Sequence, residues 1–110
     1  MLLYYLLRMI MASKSLTYLL IGSFSTFTDE CCTLLEAMAQ YTRKVEYLRL
    51  YCCNKNDLKQ SVSFGKTASA IVAQNDCLKE IGLRVLEIPV EFTNALQKSP
   101  SVAWIRILKL

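Results

Sequence analysis

The sequence contains no histidine. Imidazole is the side chain that most often acts as a general base near neutral pH, and it is the commonest protein ligand of transition metals. A serine or cysteine nucleophile in this chain would therefore lack its usual base. We predict that the protein is not an enzyme and that it holds neither a metal ion nor a cofactor.

Glycine and proline are scarce, with three and two residues in the whole chain. This composition excludes a collagen-like protein and a chain dominated by flexible linkers. Runs of basic residues and zinc-finger spacings are also absent from the sequence. The net charge of +4 therefore predicts a solvated surface and not a nucleic-acid-binding site.

Long hydrophobic runs are lacking as well. The chain begins with the apolar run MLLYYLL, and no basic residues precede it as they would in a signal peptide. The run is far shorter than the roughly 20 residues that cross a bilayer. We expect a buried helix over residues 2–11 and no membrane partner. The alternative hypothesis is a small membrane-associated or secreted protein in which this segment is a signal or an anchor.

The five cysteines do not form a C-x-x-C motif. Four of them occur as adjacent pairs, and adjacent cysteines rarely bridge each other because the disulfide geometry is strained. Without histidine, a zinc site would need four thiolates, and the spacing matches no regular zinc site. We therefore predict reduced thiols in a cytoplasmic protein. The cysteines are Cys31, Cys32, Cys52, Cys53 and Cys77.

Hydrophobic residues make up 54% of the 110-residue chain, which is enough for one domain with its own core. Four short runs in this chain share one pattern, with aliphatic residues at positions 1, 4 and 6 of each run. The runs begin at Leu16, Val45, Leu78 and Val102. The pattern alone is weak, because a chain this rich in leucine matches it by chance in other places.

A second feature strengthens the repeat. Each of the last three runs is preceded by a helix-like segment that ends in a glutamine, at Gln40, Gln74 and Gln97, and then by a short polar turn. The periodicity predicts helices over residues 30–44, 64–75 and 92–98, with an irregular polar stretch over residues 54–63. Gly65-Lys66-Thr67 is expected to begin a helix and not to form a phosphate-binding loop, because a Walker motif needs a glycine at position 60.

This pattern resembles the leucine-rich repeat, in the ribonuclease-inhibitor-like form that has a helix in each repeat. The segment from Phe92 to Ile107 is similar to the helix-to-strand stretch of that family, and Leu48-Arg-Leu50-Tyr-Cys-Cys53 resembles its L-x-L-x-x-N/C segment. The resemblance implies an α/β solenoid of about four repeats that occupies residues 1–110 as one array. The register of the third repeat is open, because Leu83-Leu86-Ile88 also fits the pattern.

In this family the strands line a concave face that binds protein partners. The resemblance implies a non-enzymatic interaction module whose partner is acidic or apolar, since tyrosine, tryptophan and arginine are enriched at interface hot spots. The alternative is that these side chains only fill space and keep the chain soluble. The implied partner-binding residues are Tyr18, Tyr47, Arg49, Tyr51, Glu80, Arg84, Trp104 and Arg106.

The two ends of the array carry no polar cap in the sequence. Terminal repeats need such caps for solubility. We therefore expect either self-association through the ends or a fragment of a longer array. A further alternative is an adaptor or sensor segment of a larger protein, such as a ubiquitin-ligase substrate receptor or an innate-immune sensor, and this rests on fold analogy alone.

Overall fold

The structure is a computed structural model, and it describes residues 5, 8, 9, 12, 16–22, 27–52, 56–99, 102 and 104–109. This part of the chain has the α/β class that the sequence predicts, with strands and helices in alternation. The strands are β1 (Tyr18–Ile21), β2 (Tyr47–Tyr51), β3 (Glu80–Val85) and β4 (Trp104–Lys109), and the helices are α1 (Asp29–Ala39), α2 (Leu58–Gln74) and α3 (Val90–Gln97).

The four strands form one parallel sheet in the order β1-β2-β3-β4, so each strand pairs with its neighbours along the chain. The pairing aligns the positions of the four sequence runs. Position 4 of each run forms one row across the sheet, and this row consists of Leu19, Leu48, Ile81 and Ile105. In the third run Leu83 pairs with Leu50. The competing register through Leu86 is therefore excluded.

One face of the sheet is buried under the helices. Each helix packs against the next helix along the chain, and α2 contacts both β2 and β3. On the strands, positions 4 and 6 of the first three runs are at most 4% exposed. Burying each such aliphatic side chain contributes roughly 1.5–3 kcal/mol. The helices add Leu35, Met38, Phe64, Ala68 and Ile71 to the same core.

The last strand departs from this burial pattern. Ile105 and Ile107 lie in the same two rows as the buried residues of β1–β3, yet they are 48% and 38% exposed. Within the described residues, the core-side surface of β4 is thus the part of the sheet that the helices cover least.

Helix α1 begins as its sequence suggests but ends earlier. The side chain of Thr28 caps it by accepting a hydrogen bond from the backbone N–H of Cys31. The expected helix over residues 30–44 ends at Ala39, because the Gln40 N–H donates to Ala37 O and the Thr42 hydroxyl donates to Ala39 O. These bonds satisfy the free carbonyls of the last turn and direct the chain toward β2.

Helix α2 begins six residues before its expected start. Asp57 caps it by accepting hydrogen bonds from the backbone N–H and the side-chain amide of Gln60. The prediction of an irregular stretch up to residue 63 is therefore wrong, and Gly65 lies inside a helix instead of at its start. A side chain at Gly65 would place its Cβ 2.7 Å from Cγ of Pro89. This close packing explains why a glycine is tolerated in a helix interior.

Helix α3 begins at Val90, two residues before its expected start, with Pro89 at its N-cap position. No helix that the structure describes combines the length and the apolarity needed to cross a membrane. The expected helix over residues 2–11 and the predicted Asn/Cys position at Cys53 lie outside the described residues, except that Tyr5, Arg8 and Met9 have helical backbone.

Candidate partner-binding face of the sheet

The strand positions between the buried rows form the outer strand face, on the side of the sheet away from the helical core. Strand pairing arranges this face in three rows. The first row contains Tyr18, Tyr47, Glu80 and Trp104, the second contains Leu20, Arg49, Gly82 and Arg106, and the third contains Tyr51, Arg84 and Leu108. All eight site residues predicted from the sequence therefore occupy these rows, although the side chain of Trp104 lies outside the described part of the structure.

The β1 side of the outer strand face is apolar. The rings of Tyr18 and Tyr47 stack with their centroids 6.1 Å apart and their planes at 30°. Tyr18 is 49% exposed, and its strand neighbour Leu20 is 54% exposed. The exposed side chains of Tyr18 and Leu20 thus lie beside each other in solvent, and the half-buried ring of Tyr47 packs against Tyr18.

In the middle of the outer strand face, the side chain of Tyr51 packs over Gly82. A Cβ on Gly82 would lie 2.6 Å from the hydroxyl oxygen and 3.2 Å from the ring of Tyr51. The Tyr51 side chain therefore crosses from β2 and covers the backbone of β3 at Gly82. This arrangement needs a residue without a side chain at position 82. It also places the phenol hydroxyl directly above Gly82.

Three arginines surround this point. Gly82 pairs with Arg49 on one side and with Arg106 on the other, which places these two Cα atoms about 10 Å apart at ordinary strand spacing. Arg84 lies two residues farther along β3, in the row of Tyr51. The side chains of Arg84 and Arg106 are exposed, whereas Arg49 is half-buried and interacts with other groups of the chain.

Acidic charge is sparse on the outer strand face. Glu80 is half-buried in the first row, and it is the one carboxylate in the three rows. Just before β2 and β3, Glu46 and Lys79 form an ion pair at 2.7 Å. The hydrogen bond from Lys79 to Glu46 raises the pKa of the lysine above its ordinary value. Because this pair is internally neutral, the positive charge of the face comes from its arginines.

Cys77 lies away from the outer strand face, and its surroundings raise the pKa of its thiol. The Sγ of Cys77 donates to Oδ1 of Asp76 at 3.2 Å, and this hydrogen bond raises the pKa of the thiol. Lys44 Nζ lies 4.0 Å from the sulfur but does not reverse the shift. The thiol is thus held in its protonated form, which is the poorer nucleophile. Among the described residues, no group of three or more cysteine, aspartate or glutamate side chains could hold a metal ion.

The partner-binding residues predicted from the sequence do not include Leu20 and Gly82, which also lie on this face. Both occupy position 5 of their runs, together with Arg49 and Arg106. The alignment of the four runs shows this difference, because position 5 is arginine in the second and fourth runs but leucine in the first and glycine in the third. Their importance depends on exposure and on a diagonal contact between strands, and neither follows from the spacing of the runs.

No family model, no curated protein and no solved structure matches this chain. Conclusions about function therefore rest on the geometry and chemistry of the outer strand face.

Proposed function

We propose that this chain is a non-enzymatic protein-interaction module, built as an array of leucine-rich-repeat-like units, and that it binds a protein through its outer strand face. The sequential order of parallel strands, with a helix between each pair, supports the solenoid part of the proposal. In such arrays each unit buries its core positions only by stacking on its neighbours. The aligned rows at positions 4 and 6 fit that principle.

The observation that carries the proposed function is the exposure of apolar side chains next to arginines in aligned rows. Tyr18 and Leu20 are about half exposed, at 49% and 54%. Arg84 and Arg106 are exposed within the width of the same sheet. Tyrosine and arginine contribute strongly to interfaces because they combine a large contact area with hydrogen bonding. The buried rows already supply the core, so these side chains are not needed to fill it.

Self-association is a second candidate function, and the exposed core-side surface of β4 favours it. Ile105 and Ile107 occupy rows that are buried on every other strand, and burying them would remove apolar surface from water. We expect the apparent mass from light scattering to rise with concentration. Ile107→Asp should keep the chain monomeric, whereas Leu20→Asp on the opposite face should not. A wild-type chain that stays monomeric up to millimolar concentration would contradict this candidate.

An adaptor or sensor role within a larger protein is compatible with an interaction module. We propose a cytoplasmic location because four of the five cysteines occur as adjacent pairs, which rarely bridge each other. The alternative of an N-terminal signal or anchor concerns residues that the structure describes only at isolated positions.

The experiment that tests the main proposal is a selection of binding peptides. The purified chain is immobilised, and random 12-residue peptides displayed on phage are enriched against it. The enriched peptides are then measured against two double variants. Tyr18→Ser with Arg106→Glu changes the outer strand face, and Val62→Ser with Lys66→Glu makes the same kind of change on the exposed side of α2, where Val62 is 46% exposed.

We expect the enriched peptides to lose binding to the first double variant and to keep it on the second. Circular dichroism spectra and melting temperatures of both variants should match the wild type, which shows that neither change acts through unfolding. Peptides that bind both variants equally would contradict the proposed face. Failure to enrich any peptide above a blank surface would contradict a peptide-binding function.

A further inference from the structure

The exposed side chains of the outer strand face change from apolar on β1 to positively charged on β3 and β4. Strand β1 carries no charged residue, and its outward side chains are Tyr18 and Leu20. Strands β3 and β4 carry exposed Arg84 and Arg106. Strand β2 lies between β1 and β3, and it contributes both aromatic side chains and an arginine. A ligand that matches both sides must therefore lie across the strands.

We propose that the partner segment is an extended acidic peptide, with one aromatic or large aliphatic residue over the β1 side and its carboxylates over the arginines of β3 and β4. This inference rests on the proposed function of the same face and adds the chemistry and direction of the ligand. Charge complementarity supports it, because the three rows hold three arginines and a single carboxylate.

The width of the sheet sets the spacing within the peptide. Neighbouring strands lie about 4.8 Å apart, so β1 is about 10 Å from β3 and about 14 Å from β4. An extended chain advances about 3.3 Å per residue. An acidic residue should therefore lie four positions from the apolar residue, about 13 Å along the peptide, because every second side chain of an extended chain faces the sheet.

The covered glycine adds a hydrogen-bond donor among the arginines. The Tyr51 hydroxyl lies above Gly82, and Gly82 pairs with Arg49 and Arg106. Phenol hydroxyls and guanidinium groups both donate to carboxylate oxygens, and guanidinium binds them in a two-pronged geometry. The Tyr51 side chain fills the space above Gly82, so a peptide at this point meets the phenol hydroxyl and not the strand backbone.

Single-stranded nucleic acid is a weaker candidate for this face. Its backbone carries charge at every nucleotide, and grooves that bind it follow that backbone with cations throughout. The β1 side offers exposed Leu20 and Tyr18 without any cation. The cationic side alone spans about one strand spacing between β3 and β4, which is about 5 Å.

The test uses the peptides enriched in the phage selection together with one synthetic peptide. We expect the enriched sequences to contain aspartate or glutamate four residues from an aromatic or large aliphatic residue, more often than the unselected library does. The most enriched peptide is synthesised with a fluorescent label, and its dissociation constant is measured by anisotropy. Raising the salt from 50 to 300 mM should weaken binding about fivefold or more, since exposed ion pairs are screened.

A charge exchange then separates recognition from general damage. Arg84→Glu with Arg106→Glu should weaken binding at least about tenfold, whereas Lys66→Glu with Lys98→Glu should leave it within about twofold. Both double variants change the net charge equally. Replacing the acidic residues of the peptide by lysine should restore binding to the first variant only. Such a restoration requires direct contact between the exchanged charges.

The outcomes distinguish this inference from the proposed function. Enriched peptides that depend on the outer strand face but lack the acidic spacing would overturn the inference and leave the function standing. Peptides that lose binding to the variant with Tyr18→Ser and Arg106→Glu, but bind the variant with Arg84→Glu and Arg106→Glu as tightly as the wild type, would do the same. An absence of face-dependent peptides would overturn both. Tight, face-dependent binding of a 12-residue polyuridine oligonucleotide, with no peptide competing for it, would also overturn both.

Discussion

Replacing Asn75 by alanine should destabilise the chain by about 3 kcal/mol. Asn75 follows helix α2 and is 7% exposed. Its Nδ2 donates to the backbone carbonyls of Thr42 and Val45, each at 2.8 Å, and its Oδ1 accepts from the backbone N–H of Cys77 at 2.6 Å. One side chain thus joins the segment before β2 to the segment before β3.

The magnitude follows from these three bonds. Each protein hydrogen bond contributes about 1 kcal/mol net, and a buried group left without a partner costs about 1–3 kcal/mol. The alanine variant loses all three bonds at once, so a loss of about 3 kcal/mol is a conservative sum. Domains of this size are stable by only about 5–15 kcal/mol. The variant should therefore unfold at a clearly lower urea concentration.

Two further variants sharpen this test. Asn75→Asp keeps an oxygen that accepts from the Cys77 N–H, but it replaces the Nδ2 donor by a second oxygen that faces the carbonyls of Thr42 and Val45. Near pH 7 this variant should lower the free energy of unfolding at least as much as Asn75→Ala. Because folding favours its protonated form, its stability should recover as the pH falls. Gln74→Ala changes an exposed neighbour and should cost less than about 0.5 kcal/mol. Urea unfolding followed by circular dichroism measures all three, and an alanine variant at position 75 as stable as Gln74→Ala would refute the reasoning.

Three other substitutions test local features of the fold and of the outer strand face. Thr67→Val should stabilise the chain by about 1 kcal/mol in urea unfolding, because Oγ1 of Thr67 is buried without a hydrogen-bond partner among the described residues; a loss of stability would contradict that assignment. Gly82→Ala should displace the Tyr51 ring and cost about 1–2 kcal/mol, and the cost should shrink in a Tyr51→Ala background; additive effects would contradict the contact. Asp76→Asn should speed alkylation of Cys77 by iodoacetamide at pH 8, because the aspartate raises the pKa of the thiol; an unchanged rate would contradict the hydrogen bond.

The strand register was predictable in part, because it depends on short-range periodicity, and the sequence left the register of the third run open. In the second and fourth runs, aliphatic residues at positions 4 and 6 alternate with polar or aromatic residues at positions 3 and 5, and a one-residue shift would turn the apolar set to the other face. The glutamines that precede three of the runs lie at or next to the last residue of each helix, although the predicted first helix extended to residue 44 and the structure ends it at Ala39. The structure pairs Leu48 with Ile81 and Leu50 with Leu83, as this periodicity requires.

The helix starts and the shape of the site were not predictable in the same way. Helix α2 begins at Leu58 because the Asp57 side chain caps it, and the sequence from Asn54 to Ser63 looks polar and irregular without that contact. Gly65 is accommodated by Pro89, which is 24 residues away in the chain. The Tyr51–Gly82 contact joins two strands diagonally, and only the folded sheet brings these residues together.

A Leu48→Asp variant tests the buried rows that define the frame. Leu48 is 1% exposed in the middle of the sheet, and a carboxylate there would have no partner in the apolar core. We expect a chain without a cooperative thermal transition. A folded, soluble variant with a native-like circular dichroism spectrum would contradict the assignment of the buried rows.

The claim that the outer strand face binds the partner is tested most directly by nuclear magnetic resonance. The isotope-labelled chain is titrated with the most enriched peptide, and the shifted backbone amides are mapped onto the sequence. We expect the largest shifts in Tyr18–Ile21, Tyr47–Tyr51 and Glu80–Val85. Shifts confined to Leu58–Gln74, on the opposite side of the molecule, would contradict the proposal.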